Sequence, residues 1–86
     1  MQPVHTQALA QRDPSNSEWQ RDLSISYQKG GLVRQAQGQQ AEALRLYQQS
    51  LAIRERLVQL DPGNAEWRED LRWTQAQIKA LQESGQ

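Results

Sequence analysis

The chain has 86 residues, enough for one domain, and at this length folding buries only about 60% of the surface of the extended chain. It has no cysteine, which excludes disulfide bonds and thiolate metal sites. Its ten basic and ten acidic residues give a net charge of zero, so no general electrostatic attraction to nucleic acid or anionic lipid is expected.

The start of the chain shows neither the charged and apolar segments of a leader sequence nor an apolar run that could span a membrane. We therefore expect a cytoplasmic protein that makes no membrane contact. Residues 3–12 are predicted to form a short helical segment that ends at Asp13-Pro14, because a residue before proline avoids the helical conformation.

The first long helix is predicted over residues 17–37. Residues 15–17 (Ser-Asn-Ser) offer side-chain oxygens that can accept hydrogen bonds from the first free amides of the helix. Glu18 follows in the first turn, where the helix dipole favours an acidic side chain. Gly38 is placed to end the helix.

One face of this predicted helix carries large side chains at a spacing of four residues, and they are Trp19, Leu23 and Tyr27. Gly30 and Gly31 interrupt the pattern, and each costs about 1 kcal/mol relative to alanine inside a helix. We expect this pair to make rearrangement of the helix easier.

Two further helices are predicted, over residues 39–60 and 65–83, separated by Pro62 and capped at the second start by Asn64. Each has an apolar stripe, formed by Leu44, Tyr47, Leu51 and Val58 in the first and by Trp67, Leu71, Thr74, Ile78 and Leu81 in the second. No segment alternates as a strand would. The sequence therefore predicts an all-α fold of three long antiparallel helices.

A seven-residue sequence occurs twice, as DPSNSEW over residues 13–19 and as DPGNAEW over residues 61–67. The two copies are 48 positions apart (61 − 13), and the same shift places Leu9 on Leu57. Self-similarity at a fixed distance is the signature of a stacked repeat protein. Each copy is therefore interpreted as the link between two repeats, and residues 3–12 as the end of a preceding helix.

Seven residues carry a resemblance to a known family: Tyr27, Gly31, Gly38, Ala43, Tyr47, Leu51 and Pro62. At their spacing they resemble the tetratricopeptide repeat (TPR) family, in its long-helix variety with Asp-Pro-x-Asn-x-Glu-Trp links. The resemblance implies a single solenoid-like domain over residues 1–86. Within it, residues 13–62 form a complete repeat, 63–83 a half repeat or capping helix, and 3–12 a remnant.

The last predicted helix departs from the family. Lys79 replaces a small glycine and Gln75 replaces an aromatic residue at positions where a following helix would approach. This helix is therefore interpreted as a solvating cap.

No catalytic, cofactor-binding or metal-binding residue is predicted, and the chain is not expected to be an enzyme. His5 is the only histidine, and Ser24 and Ser26 have no base at helical spacing. The acidic residues at the start of the last helix, Glu66, Glu69 and Asp70, are explained by the helix dipole.

Nucleic-acid binding is not favoured either. The arginines that could suggest it are Arg45, Arg54, Arg56, Arg68 and Arg72. Glutamates alternate with them, as is typical of solvated helix faces.

TPR arrays bind peptides or protein segments on a concave surface formed by the first helix of each repeat. Carried onto this chain, the resemblance implies seven partner-binding residues: Ile25, Gln28, Lys29, Leu32, Gln35, Trp73 and Gln77. Trp73 has two interpretations, since it could pack within a curled layer of helices or serve as an exposed binding anchor.

The sequence as a whole predicts a non-catalytic protein-interaction module that associates with itself through uncovered helix faces and binds a peptide or protein partner. Two alternatives remain open. The chain could be a purely structural homo-oligomerisation unit, or a fragment of a larger repeat scaffold.

Overall fold

The computed structural model describes residues 16–84, which form three α-helices: α1 (Ser17–Ala36), α2 (Gln40–Leu60) and α3 (Ala65–Ser84). This part of the chain contains no strand. The predicted all-α class is confirmed, and each predicted helix end lies within one residue of the observed one. The predicted helical segment over residues 3–12 lies outside the described residues, and so does Pro14, which was expected to end it.

The turn between α1 and α2 is set by Gly38, whose φ of 79° lies in the left-handed region that favours glycine. The Gly38 amide donates to the Gln35 carbonyl at 3.0 Å, and the Gln39 amide donates to the Arg34 carbonyl at 2.8 Å. This pair of bonds is a Schellman motif, which satisfies carbonyls at the end of a helix. The predicted role of Gly38 is confirmed.

The two predicted N-caps behave differently. Asn64 accepts a hydrogen bond on Oδ1 from the Trp67 amide at 3.0 Å, as predicted for α3. Asn16, one of the three residues 15–17 expected to offer a cap for α1, precedes the helix but makes no side-chain capping bond. Its backbone (φ −91°, ψ 53°) departs from the extended conformation that directs an N-cap side chain to the first amides.

This difference gives a matched test of capping. Asn64→Ala is expected to lower the free energy of unfolding by about 1 kcal/mol because the Trp67 amide loses its acceptor. Asn16→Ala should change it by only a few tenths of that amount. Urea unfolding followed by circular dichroism measures both variants, and equal effects would contradict the assignment of the caps.

The helices pack in chain order, with α2 against both α1 and α3. The buried apolar cluster contains Ala43, Tyr47, Ile78 and Leu81, with Leu44, Leu51 and Trp73 partly buried against it. Burial of these side chains is the main contribution to stability. The core therefore lies mainly between α2 and α3.

The contact between α1 and α2 depends on Gly31, which is buried inside an uninterrupted helix. A Cβ atom built on Gly31 would lie 2.6 Å from Cε1 of Tyr47, closer than real contacts allow. The glycine is thus explained by the close approach of the Tyr47 ring. Gly30 also lies within α1, and a Cβ there would meet only the end of the Leu46 side chain, at 3.3 Å.

Candidate protein-interaction surfaces

The seven residues implied by the resemblance form a surface on α1 and α3 that we call the inner face. The exposed members are Lys29 and Leu32; the half-buried members are Ile25, Gln28, Gln35, Trp73 and Gln77. Leu32 retains 43% of its accessible surface, which is high for a large apolar side chain. The inner face therefore combines apolar side chains with glutamine amides and one lysine.

Tyr47 of α2 contacts the inner face on both of its helices. Its hydroxyl donates to Oε1 of Gln35 at 2.8 Å, and its ring meets the Trp73 ring edge-on with centroids 5.8 Å apart. Burial raises the pKa of Tyr47, because the charged phenolate would lose its hydration. Of the two interpretations of Trp73, packing within the chain describes its observed position. Tyr47 thus holds Gln35 of α1 and Trp73 of α3 in position.

A buried arginine joins the three helices near the other end of the layer. Arg54 of α2 is only 2% exposed. Its Nε donates to Oγ of Ser24 at 3.1 Å, and its Nη1 donates to Oγ1 of Thr74 at 2.6 Å. Burial lowers the pKa of Arg54, although the nearby Asp70 acts in the opposite direction. An arginine nevertheless stays charged at neutral pH.

The position of Arg54 corrects the expectation that it lies on a solvated face. Ser24 and Thr74 accept its hydrogen bonds, and their own hydroxyls donate to the carbonyls of Arg21 and Asp70 at 2.7 and 2.8 Å. These oxygens satisfy the guanidinium inside the protein, so the cost of burying the charge is reduced. Arg45 and Arg72 are exposed, as expected.

Arg21 of α1 connects directly to α3. It pairs with Asp70 at 2.8 Å and with Glu66 at 3.2 Å, and the hydrogen bond that Arg21 donates to Asp70 raises the pKa of Arg21. The helix dipole was expected to explain the acidic residues of α3, yet two of them also hold α1. No local spacing in the sequence indicates this contact, since its partners are 49 positions apart. The pair positions the two helices that carry the inner face.

A second surface lies on α1 beside its contact with α2, since Leu23 lines the cavity between the two helices and Gly30 faces Leu46 of α2. At about 100° per residue, five positions spaced four, three, four and three apart form one stripe, the outer stripe: Trp19, Leu23, Ser26, Gly30 and Val33. Trp19 is 43% exposed and Val33 is 54% exposed. The outer stripe therefore leaves large apolar side chains in contact with solvent.

The 48-residue echo in the sequence relates the outer stripe of α1 to a buried face of α3. Shifted by 48 positions, Ser26, Gly30 and Val33 correspond to residues 74, 78 and 81 of α3, and those three are buried. Leu23 of the outer stripe and Ile53 of α2 line a cavity of about 240 Å³ between α1 and α2. The sequence pattern places Trp19 and Leu23 on one face and resumes at Val33 after the two glycines.

Residues 16–84 hold no group of three histidine, cysteine, aspartate or glutamate side chains that could bind a metal ion. In the same range, every buried side-chain nitrogen or oxygen has a hydrogen-bond partner, and no helix has the length and apolar character needed to cross a membrane. His5 lies outside the described residues.

Comparison of the chain with protein-family models, curated proteins and solved structures gives no match.

Proposed function

We propose that the chain is a non-catalytic protein-interaction module built from TPR-like helical hairpins. The observation that carries the proposal is the inner face, where the exposed Leu32 lies on the same helix as the half-buried Ile25. Apolar side chains at a surface supply binding free energy when a partner removes them from water. The glutamine amides beside them can donate to and accept from the backbone of a bound segment.

The contacts that hold the inner face in one arrangement favour binding of a partner. Tyr47 holds Gln35 by a hydrogen bond and Trp73 by ring packing, while Arg21 ties α1 to Asp70 of α3. A surface held in one arrangement loses little conformational entropy when it binds. The partner that fits is a peptide or protein segment with apolar side chains.

The resemblance to the TPR family gains support from local packing. Gly31 and Tyr47 are two of the seven residues that carry it, and they meet where α1 packs against α2. Ala43, another of the seven, is fully buried. Small residues opposite a large aromatic ring are what that resemblance implies at these positions.

Leu32→Glu tests the inner face. Peptides selected from a random display library against the wild-type chain should bind this variant at least about tenfold more weakly, because the glutamate places a charge in the apolar contact. Leu60→Glu is the matched control, since Leu60 is 49% exposed at the end of α2 and outside the inner face. Fluorescence anisotropy of a labelled selected peptide measures both affinities.

Two results would contradict the inner-face assignment. One is a set of selected peptides whose affinity is the same for Leu32→Glu and for wild type. The other is an equal loss of affinity in the Leu60→Glu control. Trp73→Ala is a poorer test, because Trp73 also packs on Tyr47 and its removal would affect folding.

Self-association is a second part of the proposal, and the exposure of Trp19 and Val33 favours it. An apolar stripe on one helix is stabilised when another helix covers it. A purely structural homo-oligomerisation unit would use this surface alone. An interaction module would use both the outer stripe and the inner face.

A further inference from the structure

We infer that the outer stripe is the interface of a two-fold homodimer in which the α1 helices of two copies pack antiparallel. The inference rests on the self-association proposed above and adds to it the face, the direction and the register of the contact. A two-fold interface uses the same surface on both copies, so that surface must be complementary to itself.

The shape of the outer stripe meets this requirement. Ser26 lies at its centre, with Trp19 seven residues before it and Val33 seven residues after it. If two stripes cross antiparallel at Ser26, Trp19 of each copy lies opposite Val33 of the other. Ser26 is small and exposed, so the two helix backbones can approach closely at the crossing point while Trp19 and Val33 fill the space on either side.

The charges beside the outer stripe favour the antiparallel direction. Asp22 and Lys29 are both exposed, and their seven-residue separation places them on the same side of α1. Antiparallel pairing about Ser26 brings Asp22 of each copy beside Lys29 of the other, which forms two attractive contacts. In a parallel two-fold pair the Asp22 and Lys29 side chains of the two copies lie on opposite flanks of the interface, so neither attractive contact would form.

The outer stripe also continues into the cavity between α1 and α2, because Leu23 belongs to both. The Trp19 side chain, 43% exposed at the same end of α1, is the largest group that a second copy would cover. A second copy therefore buries apolar surface that the single chain leaves in water.

Engineered cysteines test the register, since the chain has no cysteine of its own. In the antiparallel dimer the two copies of Ser26 face each other, so Ser26→Cys should form an intermolecular disulfide under mild oxidation. Glu18→Cys is the matched control, because this exposed position is eight residues from Ser26 on the same helix. Its two copies would lie about 24 Å apart along the helix axis, too far to bridge.

The experiment combines non-reducing gel electrophoresis of both cysteine variants with sedimentation of the full wild-type chain from about 1 to 200 μM, a range that covers weak to moderate homodimers. The expected result is a dimer, rapid crosslinking of Ser26→Cys and slow crosslinking of Glu18→Cys. A dimer in which Ser26→Cys does not crosslink faster than Glu18→Cys would overturn this inference and leave self-association standing.

A monomer across the whole range would overturn both the inference and self-association. Val33→Glu then identifies what replaces the second copy. Lower stability of this variant in the monomer would indicate coverage by another part of the same chain, with residues 3–12 as the first candidate. Unchanged stability would leave the outer stripe open to a different protein.

Charge reversal tests the direction independently. Asp22→Lys and Lys29→Asp should each weaken the dimer about tenfold, because each creates two like-charge contacts. The double variant should restore wild-type affinity, since it exchanges the two charges across each contact. Failure of the double variant to recover would overturn the antiparallel register.

Discussion

Gly31→Ala is expected to lower the free energy of unfolding by about 1–2 kcal/mol, although alanine forms helices better than glycine by up to about 1 kcal/mol. The added Cβ would lie 2.6 Å from Cε1 and 2.8 Å from Cδ1 of the buried Tyr47 ring. Relief requires α1 and α2 to separate or the ring to move, and overpacking of this kind costs about 1–3 kcal/mol. Chemical unfolding at a low protein concentration measures the change.

Gly30→Ala is the matched control for this prediction, one position away on the same helix. Its Cβ would approach the Leu46 side chain at 3.3 Å, and the end of a leucine side chain can shift. The gain in helix propensity, up to about 1 kcal/mol, should then make the variant as stable as wild type or more stable. Equal destabilisation by both substitutions would show that the loss of glycine flexibility, and not the Tyr47 contact, is responsible.

Thr74→Val is expected to cost about 2 kcal/mol, even though the two side chains have nearly the same shape. Thr74 accepts a 2.6 Å hydrogen bond from Arg54, and valine has no oxygen to replace it. Leaving a buried charged donor without its acceptor lowers the stability of the folded state. Thermal and urea unfolding give the change in the free energy of unfolding.

A second substitution separates this effect from simple packing. Arg54→Met removes the buried charge and keeps most of the volume, so it should leave stability within about 1 kcal/mol of wild type. Thr74→Val in the Arg54→Met background should then cost much less than it does alone. If Thr74→Val costs the same in both backgrounds, the hydrogen bond to Arg54 does not explain its effect.

The helices and their ends were largely predictable, because the signals that set them are local. Neighbouring members of the apolar stripe of α3 are three or four positions apart. The turn at Gly38 and the cap at Asn64 likewise depend on residues within about five positions. Local signals of this kind can be recognised in a single sequence. The difference at Asn16 shows their limit, since a suitable cap residue does not by itself determine the backbone angles that capping needs.

The polar junction around Arg54 was not predictable in the same way. In the sequence, Arg54 lies next to Glu55 and resembles any arginine on a solvated helix face. Its partners Ser24 and Thr74 are 30 and 20 positions away, on two other helices. Only the packing of all three helices brings these oxygens together, so periodicity and spacing carry no information about the site.

The outer stripe was partly predictable from the sequence. The sequence identified Trp19 and Leu23 as members of one face, and the echo with α3 was visible from the start. What the sequence could not show is that Val33 stays exposed while Leu81, at the equivalent position, is buried. That asymmetry depends on which neighbour each helix has, and it appears only when the helices are placed in space.

Arg54 also affects how the molecule comes apart. Because this one side chain donates to α1 and to α3 from α2, neither outer helix can detach there without leaving a buried guanidinium short of an acceptor. Linear helical repeats commonly lose their terminal helices one at a time. In this chain the shared charge couples the three helices, so we expect their loss to be cooperative and to begin at the opposite end, around the turn at Gly38 and the last residues of α3.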